Sequence, residues 1–280
     1  MENEETFTID EYLSDTTSLL AQNYAGAGEL EQCTYQGGYL KRQNIYCCKT
    51  CSNDYEKMAG ICFHCSVNCH TGHDLIDTGP KRKFRCDCGN EKLGNKCELL
   101  SDKDAVNSEN VYNQNFKDSY CICKCQEEVS ANEEDIFQCR ICEDWLHLSH
   151  IGGEAVEDDP IGDLFCPNCV EKKPSLIAIT LESSDQHICL EKYTDEKASF
   201  KPYFTNRALM EKISECPACQ QHLKDIGCEY LLDFEDTHEH YTSMGEKVIS
   251  NLVDKDLNTL MNDLSHEKKI DLISGASLLH

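Results

Sequence analysis

The stretch CFHCSVNCHTGH, residues 62–73, decides the fold of the first half of the chain, because it places five candidate metal ligands within twelve residues. Thiolate sulfur and imidazole nitrogen at such short spacings are the ligands that structural zinc binds in tetrahedral geometry. The stretch therefore predicts a domain organised by zinc. Its candidate ligands are Cys62, Cys65, Cys69, His70 and His73.

Six more candidate ligands surround this stretch and raise the total to eleven. Three tetrahedral zinc ions need twelve ligand bonds, and eleven ligands supply twelve if one thiolate bridges two metals. One Cys2His2 site and a two-zinc, thiolate-bridged cluster would use every candidate and leave Cys47 as a structural neighbour. The six additional ligands are Cys33, Cys48, Cys51, Cys86, Cys88 and Cys97.

The composition indicates that this chemistry takes place inside the cell. The chain has 280 residues and 21 cysteines, and it contains no apolar run of membrane-spanning length. Residues 1–30 lack the basic start and apolar core of a signal peptide. We therefore expect an intracellular protein, nuclear or cytoplasmic, with no membrane partner, whose reduced thiols bind metal. The alternative is an oxidised, secreted disulfide scaffold.

The excess of acidic residues limits the classes of partner that the protein is expected to bind. With 26 basic and 51 acidic residues, the formal net charge is −25. Direct binding of nucleic acid is not expected, because phosphate binding needs a basic surface. An acidic surface suits basic partners such as histone tails or peptides that begin with Arg or Lys. The alternative is that the charge serves solubility alone.

The distribution of cysteines divides the chain into regions. Each zinc region is too short to fold on an apolar core alone, and a structural zinc supplies on the order of 10 kcal/mol. The predicted fold class is therefore small, irregular zinc-organised domains with little regular secondary structure, followed by a small α+β region. The predicted regions are an acidic N-terminal segment (1–30), a first zinc region (31–100), a linker (101–117), a second zinc region (118–172) and a C-terminal region (173–280).

The C-terminal region carries weaker signals. SLIAITLE (175–182) and CEYLLDFED (228–236) alternate like strands, and GEKVISNLVDKDLNTLMNDL (245–264) has helical spacing. The pair Cys216-x2-Cys219, with His222 and Cys228 nearby, predicts either one more zinc site or a helix start with buried cysteines.

The first zinc region resembles the UBR box, the zinc domain of N-recognin ubiquitin ligases. The resemblance rests on CKTC (48–51), CFHCSVNCHTGH, FRCDCGN (84–90) and Cys97. Some members close the cluster with a histidine after the last cysteine, and Cys69 is the expected replacement here. The resemblance implies three zinc ions, held by Cys48, Cys51, His70 and His73, by Cys33, Cys62, Cys65 and Cys86, and by Cys65, Cys69, Cys88 and Cys97.

The stretch FRCDCGN also contains an acid that this resemblance makes important. In an extended segment Cys86 and Cys88 share one face, and Asp87 points away from them, toward solvent. In the family, an acid at this position helps to bind the free amino group and basic side chain of a substrate's N-terminus. Asp54 matches a second acid of that pocket, and Asn90 stands at a third acidic position. The resemblance implies that these three residues bind substrate N-termini, although the neutral amide of Asn90 removes part of the attraction for Arg or Lys. The alternative is that Asp87 is a solvated surface acid.

The second zinc region offers eight ligands in four pairs, enough for two tetrahedral zinc ions. Their order resembles a PHD finger, in which the first and third pairs share one zinc and the second and fourth pairs share the other. The C-x-C spacing of the first pair, and Trp145 before the histidines, favour a PHD finger over the similar RING; Cys125 is surplus. The pairs are Cys121 and Cys123, Cys139 and Cys142, His147 and His150, and Cys166 and Cys169.

Two aromatic residues match walls of the cage with which some PHD fingers bind methyl-lysine. They are Tyr120 and Trp145, and such a cage attracts the ligand through cation–π contacts. Ile136 and Gln138, which match the remaining wall positions, are not aromatic. The resemblance implies histone-tail binding, with Trp145 in the domain core as the alternative.

A UBR box followed closely by a PHD finger resembles one subfamily of UBR-type ubiquitin ligases, the seventh. This resemblance implies a ubiquitin–protein transferase that acts with a ubiquitin-conjugating enzyme and selects substrates through either module. No catalytic residue is assigned, and the sequence contains no RING pattern. The alternative is a non-catalytic zinc-finger adaptor or chromatin reader.

Overall fold

The computed structural model describes most of the chain from residue 32 onward. Within that part, no helix is long and apolar enough to cross a membrane. The described residues are 25, 32–52, 58–124, 136–153, 163–180, 189–193, 199–237 and 240–251.

A three-stranded antiparallel sheet is the frame of the first zinc region. Strand β1 (Leu40–Cys48) lies between β2 (Ile61–Cys62) and β3 (Leu75–Phe84). Helix α1 (Phe63–Asn68) follows β2 directly. Because β1 ends at the candidate ligand Cys48 and α1 lies inside CFHCSVNCHTGH, the sheet delivers metal ligands to one of its ends.

The second zinc region contains few and short regular elements. Strands β4 (Ile136–Gln138) and β5 (Trp145–His147) form a hairpin, and β6 (Leu164–Phe165) leads into helix α2 (Pro167–Lys172). Elements of two to six residues cannot bury a core by themselves, so the metal sites organise the region. The fold class predicted from the sequence is confirmed.

The C-terminal region packs on the second zinc region through a shared core. Strand β7 (Tyr203–Phe204) pairs with β6, and helices α3 (Arg207–Ser214) and α4 (Pro217–Asp225) follow. The two regions therefore fold as one unit. Fully buried members of this core are Phe165, Val170, Leu176, Ile179, Leu190, Cys219, Leu223 and Cys228.

The two strands predicted in the C-terminal region are wrong. Residues Pro174–Ile179 form a 3-10 helix, as do Glu229–Leu232 and Phe234–Asp236. In a 3-10 helix residues three apart share a face, and Leu176 and Ile179 have that spacing and are both buried. The weak alternation of SLIAITLE therefore fits either element, and the packing selects the helix.

The predicted amphipathic helix is described only at its start. Residues 240–251 are helical, and Val248 is half-buried. The helix therefore begins earlier than the predicted stretch 245–264. The other apolar positions of the prediction lie outside the described residues: Leu252, Leu257, Leu260, Met261 and Leu264.

The predicted linker packs against both zinc regions. Phe116 is buried in one cluster with Phe84 of β3 and Tyr120 of the second zinc region. Cys47, the surplus cysteine of the first region, lies in the same cluster, and its thiol donates to the Phe116 carbonyl over 3.4 Å. The two zinc regions are therefore held together by an apolar contact as well as by the chain.

Candidate functional site

The Cys2His2 set predicted in the first zinc region comes together at the end of β1. Tetrahedral zinc with bond lengths of about 2.3 Å to sulfur and about 2.0 Å to nitrogen separates an S and an N ligand by about 3.5 Å. The Cys51 thiol lies 3.5 Å from Nδ1 of His70 and 3.3 Å from Nδ1 of His73. Cys48 lies 3.4 Å from Nδ1 of His73. These four residues therefore have the geometry of a zinc site.

The seven remaining thiols of this region form two adjoining sets that share Cys65. The same bond lengths predict about 3.8 Å between two thiolates on one zinc. The Cys97 thiol lies 3.7 Å from Cys65 and 3.9 Å from Cys69. Cys69 therefore completes the second set, as the sequence predicted. The two sets are Cys33, Cys62, Cys65 and Cys86, and Cys65, Cys69, Cys88 and Cys97.

Lys103 is a partner of this cluster that the sequence analysis missed. Two zinc ions and seven thiolates leave a net charge of about −3, which a buried site must offset. The Lys103 ammonium donates to the Cys33 thiol over 3.1 Å. Burial lowers the pKa of Lys103, but the thiols of Cys86 and Cys33 raise it by more, so the net shift is upward. A lysine in a polar linker gives no sequence signal for such a role.

The eight ligands of the second zinc region form two cross-braced sets. Cys121 lies 3.7 Å from Nδ1 of His150, and Cys123 lies 3.7 Å from Nδ1 of His147. In the other set the thiols of Cys142 and Cys166 are 3.9 Å apart. Sets made only of sulfur and imidazole nitrogen favour zinc over magnesium or calcium, which bind oxygen. The sets are Cys121, Cys123, His147 and His150, and Cys139, Cys142, Cys166 and Cys169.

Asp87 is buried, so the predicted direction of its side chain was wrong. Cys86 and Cys88 are both buried toward the cluster, as the alternation predicts, but Asp87 also has no exposed surface. The reason is that residues 107–112 fold over its side. The structure describes no residue between 53 and 57, so the predicted partner Asp54 lies outside the described residues.

The Asp87 carboxylate accepts hydrogen bonds from five residues of the chain. Such saturation leaves no lone pair directed toward solvent for a substrate's ammonium group. Asn90, which stands at the family's third acidic position, is itself one of the donors and is 5% exposed. The donors are the Gly60 amide (2.9 Å), the side-chain amides of Asn90 (2.8 Å), Asn107 (2.8 Å) and Asn110 (3.2 Å), and the Tyr112 hydroxyl (2.8 Å).

A cation of the chain lies beside this buried acid. The Lys92 ammonium is 3.6 Å from the centre of the Tyr112 ring and donates to the Met58 carbonyl over 2.9 Å. Burial lowers the pKa of Lys92, and the charge of Asp87 acts in the opposite direction. An incoming basic N-terminus would therefore meet a resident positive charge as well as filled acceptors.

The two aromatic residues predicted to line a methyl-lysine cage face the first zinc region instead. Tyr120 is 3% exposed, and its hydroxyl donates to the Asp77 carbonyl over 2.9 Å. The Trp145 indole donates to the Thr78 carbonyl over 3.1 Å. A Cβ atom at Gly79, where φ is +75°, would lie 2.6 Å from the Trp145 ring nitrogen. Trp145 therefore belongs to the core, which was the alternative prediction.

A buried ionic network also joins the three regions. Asp236 of the C-terminal region accepts from Arg42 over 3.1 Å and from Arg82 over 2.5 Å, and all three side chains are less than 10% exposed. Arg82 also pairs with Glu143 of the second zinc region at 3.2 Å. Next to it, the Lys81 ammonium donates to the Glu143 carbonyl over 2.7 Å. Strand β3 therefore binds both other regions through its basic residues.

Comparison with known protein families matches both zinc regions. Residues 32–100 match the family described as "Putative zinc finger in N-recognin (UBR box)", and residues 115–179 match the "UBR7-like PHD finger". The two matched segments contain all five four-ligand sets described above. Zinc is the metal of these sites.

Several curated proteins are similar to this chain. The human "Putative E3 ubiquitin-protein ligase UBR7" is 43% identical over 150 residues, which cover 52% of this chain and 35% of the relative. "Protein mlo2" of Schizosaccharomyces pombe is 34% identical over 204 residues, covering 68% of this chain and 56% of the relative. The Dictyostelium discoideum "Putative E3 ubiquitin-protein ligase ubr7" is 29% identical, covering 62% and 50%.

The chain thus spans about a third to just over half of the length of these relatives. No solved structure matches it significantly. Both modules, their order and the ligand sets agree with the family assignment. The chain therefore contains a UBR box followed by a UBR7-like PHD finger.

Proposed function

We propose that this chain is the recognition and transfer module of a ubiquitin–protein ligase that acts with a ubiquitin-conjugating enzyme. The observation that carries the proposal is that contacts of Trp145 and Arg82 join a UBR box and a UBR7-like PHD finger into one body. Two similar proteins are named "Putative E3 ubiquitin-protein ligase". In this scheme the chain supplies binding surfaces, and the conjugating enzyme supplies the reactive thioester.

We place the docking surface for the conjugating enzyme at the first zinc loop of the PHD finger. Ile122 lies between the ligands Cys121 and Cys123, and its apolar side chain is 42% exposed. Because both neighbours bind metal, the backbone at Ile122 is already ordered, so little backbone entropy is lost when a partner covers the side chain. An apolar residue held rigidly at the surface is therefore suited to a protein contact.

The test is ubiquitin transfer in vitro with a panel of conjugating enzymes. The variant Ile122→Glu should lower product formation at least tenfold and leave the zinc content unchanged. Val67→Glu is the matched control, because Val67 is 49% exposed on α1 of the UBR box. Transfer that is unaffected by Ile122→Glu would overturn the docking surface, and no product with any enzyme would overturn the ligase proposal.

For substrate selection, we propose that a basic tail binds through the acidic surface and not through the Asp87 pocket. The support is the net charge of −25, together with the filled acceptors of Asp87 and the buried ring of Tyr120. Binding through surface charge is expected to weaken with salt. Histone tails and other Lys- and Arg-rich segments have the required chemistry.

Calorimetric titration separates this mechanism from recognition of N-termini. A peptide that begins with a free Arg and its N-acetylated twin should bind equally weakly, whereas a histone-tail peptide should bind more tightly at low salt. Binding of the free peptide alone would show that the pocket of Asp54, Asp87 and Asn90 opens to substrates.

The second candidate is an adaptor or chromatin reader without transferase activity. It is favoured by the ligand sets, because four protein ligands at each site leave no open coordination position for catalysis. Retained binding of histone-tail peptides with no ubiquitin transfer would identify it. Either role places the protein inside the cell, in the nucleus or cytoplasm, where thiols stay reduced.

A further inference from the structure

The start of helix α4 repeats the local geometry of a zinc-binding element of the PHD finger. Both segments read Cys-Pro-x-Cys, at 166–169 and at 216–219. In each, the first cysteine is the extended N-cap residue and proline takes the first helical turn. The amide four residues on donates to the first cysteine's carbonyl, over 3.1 Å from Val170 and 3.0 Å from Gln220. Both helix starts can therefore direct two thiols toward one metal.

A third thiol lies next to this pair in the C-terminal region. Cys189 precedes the 3-10 helix Leu190–Tyr193, and its sulfur is 3.9 Å from the sulfur of Cys216. A disulfide would require about 2.05 Å. The distance equals that between the PHD ligands Cys142 and Cys166, and it agrees with the value of about 3.8 Å expected for two thiolates on tetrahedral zinc.

The other residues that the sequence placed near this pair are engaged elsewhere. Nε2 of His222 lies 2.8 Å from the Ser175 hydroxyl. Cys228 contacts the Ile226 carbonyl at 3.8 Å, and its sulfur accepts from the Tyr230 hydroxyl at 3.9 Å. A helix start with buried cysteines would account for Cys219 alone. It does not account for two half-exposed thiols that meet at the distance found in the metal sites.

We propose that Cys189, Cys216 and Cys219 bind a sixth zinc ion through three thiolates. The ion would link the 3-10 helix Leu190–Tyr193 to the start of α4, and the thiol protons would be released to solvent on binding. Leu190 and Leu223, which these two elements contribute to the core, are fully buried. The metal therefore stabilises the region that presents Asp236 to the UBR box.

Metal analysis of the full chain tests this site directly. The wild-type protein should contain six zinc ions per chain, and Cys189→Ser or Cys216→Ser should contain five. Cys228→Ser is the matched control and should keep six, because this thiol belongs to the same core but not to the site. Five zinc ions in the wild-type protein, or six in both ligand variants, would overturn the proposal.

Alkylation of the native wild-type protein provides a test that does not depend on how the variants fold. Cys189 and Cys216 are half-exposed, so as free thiols they would react readily. As zinc ligands they should resist iodoacetamide until a chelator is added, as the PHD ligand Cys142 should. Mass spectrometry locates the modified residues. Rapid modification of Cys189 and Cys216 while Cys142 stays protected would contradict a sixth zinc.

Discussion

Replacing Asp87 with asparagine tests whether this carboxylate is part of the fold or of a substrate pocket. Asparagine keeps the shape of the side chain but removes its charge and turns one acceptor oxygen into a donor. Each carboxylate oxygen accepts from three groups: Oδ1 from the amides of Asn90, Asn107 and Asn110, and Oδ2 from the Gly60 amide, the Tyr112 hydroxyl and again Asn110.

The loss of stability follows from the hydrogen bonds that the NH2 group of the new asparagine cannot accept. Whichever way the new side chain is oriented, two or three donors face its NH2 group. A hydrogen bond to a charged group contributes about 1.5–3 kcal/mol, and buried donors left unsatisfied add to the loss. We therefore expect Asp87→Asn to lower the free energy of unfolding by about 3–5 kcal/mol. For a chain of this size, that corresponds to roughly 6–20 °C in Tm.

Thermal and urea unfolding of the zinc-loaded protein measure this effect, and two variants calibrate it. Tyr112→Phe removes one donor and should cost about 1.5–3 kcal/mol. Asp104→Asn should leave stability unchanged, because that carboxylate is 69% exposed although it pairs with Arg85 at 2.7 Å. Unchanged stability of Asp87→Asn, combined with loss of binding to a peptide with a free N-terminal Arg, would refute the structural role.

Three further predictions concern the contacts between the regions and the metal. Asp236→Asn removes the carboxylate paired with the buried Arg42 and one of the two carboxylates paired with the buried Arg82, so it should cost about 3–5 kcal/mol in urea unfolding. The exposed Glu235→Gln should change nothing measurable, and equal effects of the two variants would contradict the network. Burial lowers the pKa of Lys81 from its ordinary value of 10.5 to about 8 in the folded protein. Between these two pH values the unfolded chain binds more protons than the folded one, so the free energy of unfolding should rise with pH. Urea unfolding at several pH values measures this rise, and Lys81→Met should remove it. Removal of zinc with an excess of chelator should unfold both modules together, as followed by circular dichroism.

Much of the metal chemistry was predictable because zinc ligands are arranged locally. Pairs such as Cys48 and Cys51, or His70 and His73, are close in the chain, so their spacing already constrains the geometry. Counting ligands predicted a bridging thiolate, and the structure places Cys65 in both sets of the cluster. The resemblance to known modules supplied the pairing between distant segments, which spacing alone leaves open.

Exposure could not be predicted in this way, because it depends on segments that are distant in sequence. The alternation around Asp87 correctly separates it from Cys86 and Cys88, but it does not reveal that residues 107–112 cover the acid. Tyr120 and Trp145 have the sequence positions of a cage, yet both side chains pack against the neighbouring UBR box and donate hydrogen bonds to it.

By itself, the sequence determined which residues can hold zinc and that zinc, not an apolar core, organises the two modules. Only the tertiary structure decided which charges are buried and which surfaces stay open. The roles of Lys103 at the thiolate cluster, Asp236 between two arginines and Cys189 beside Cys216 all depend on contacts between remote segments. The physical reason is that ligand spacing is a local property, whereas burial and ion pairing depend on how distant segments pack.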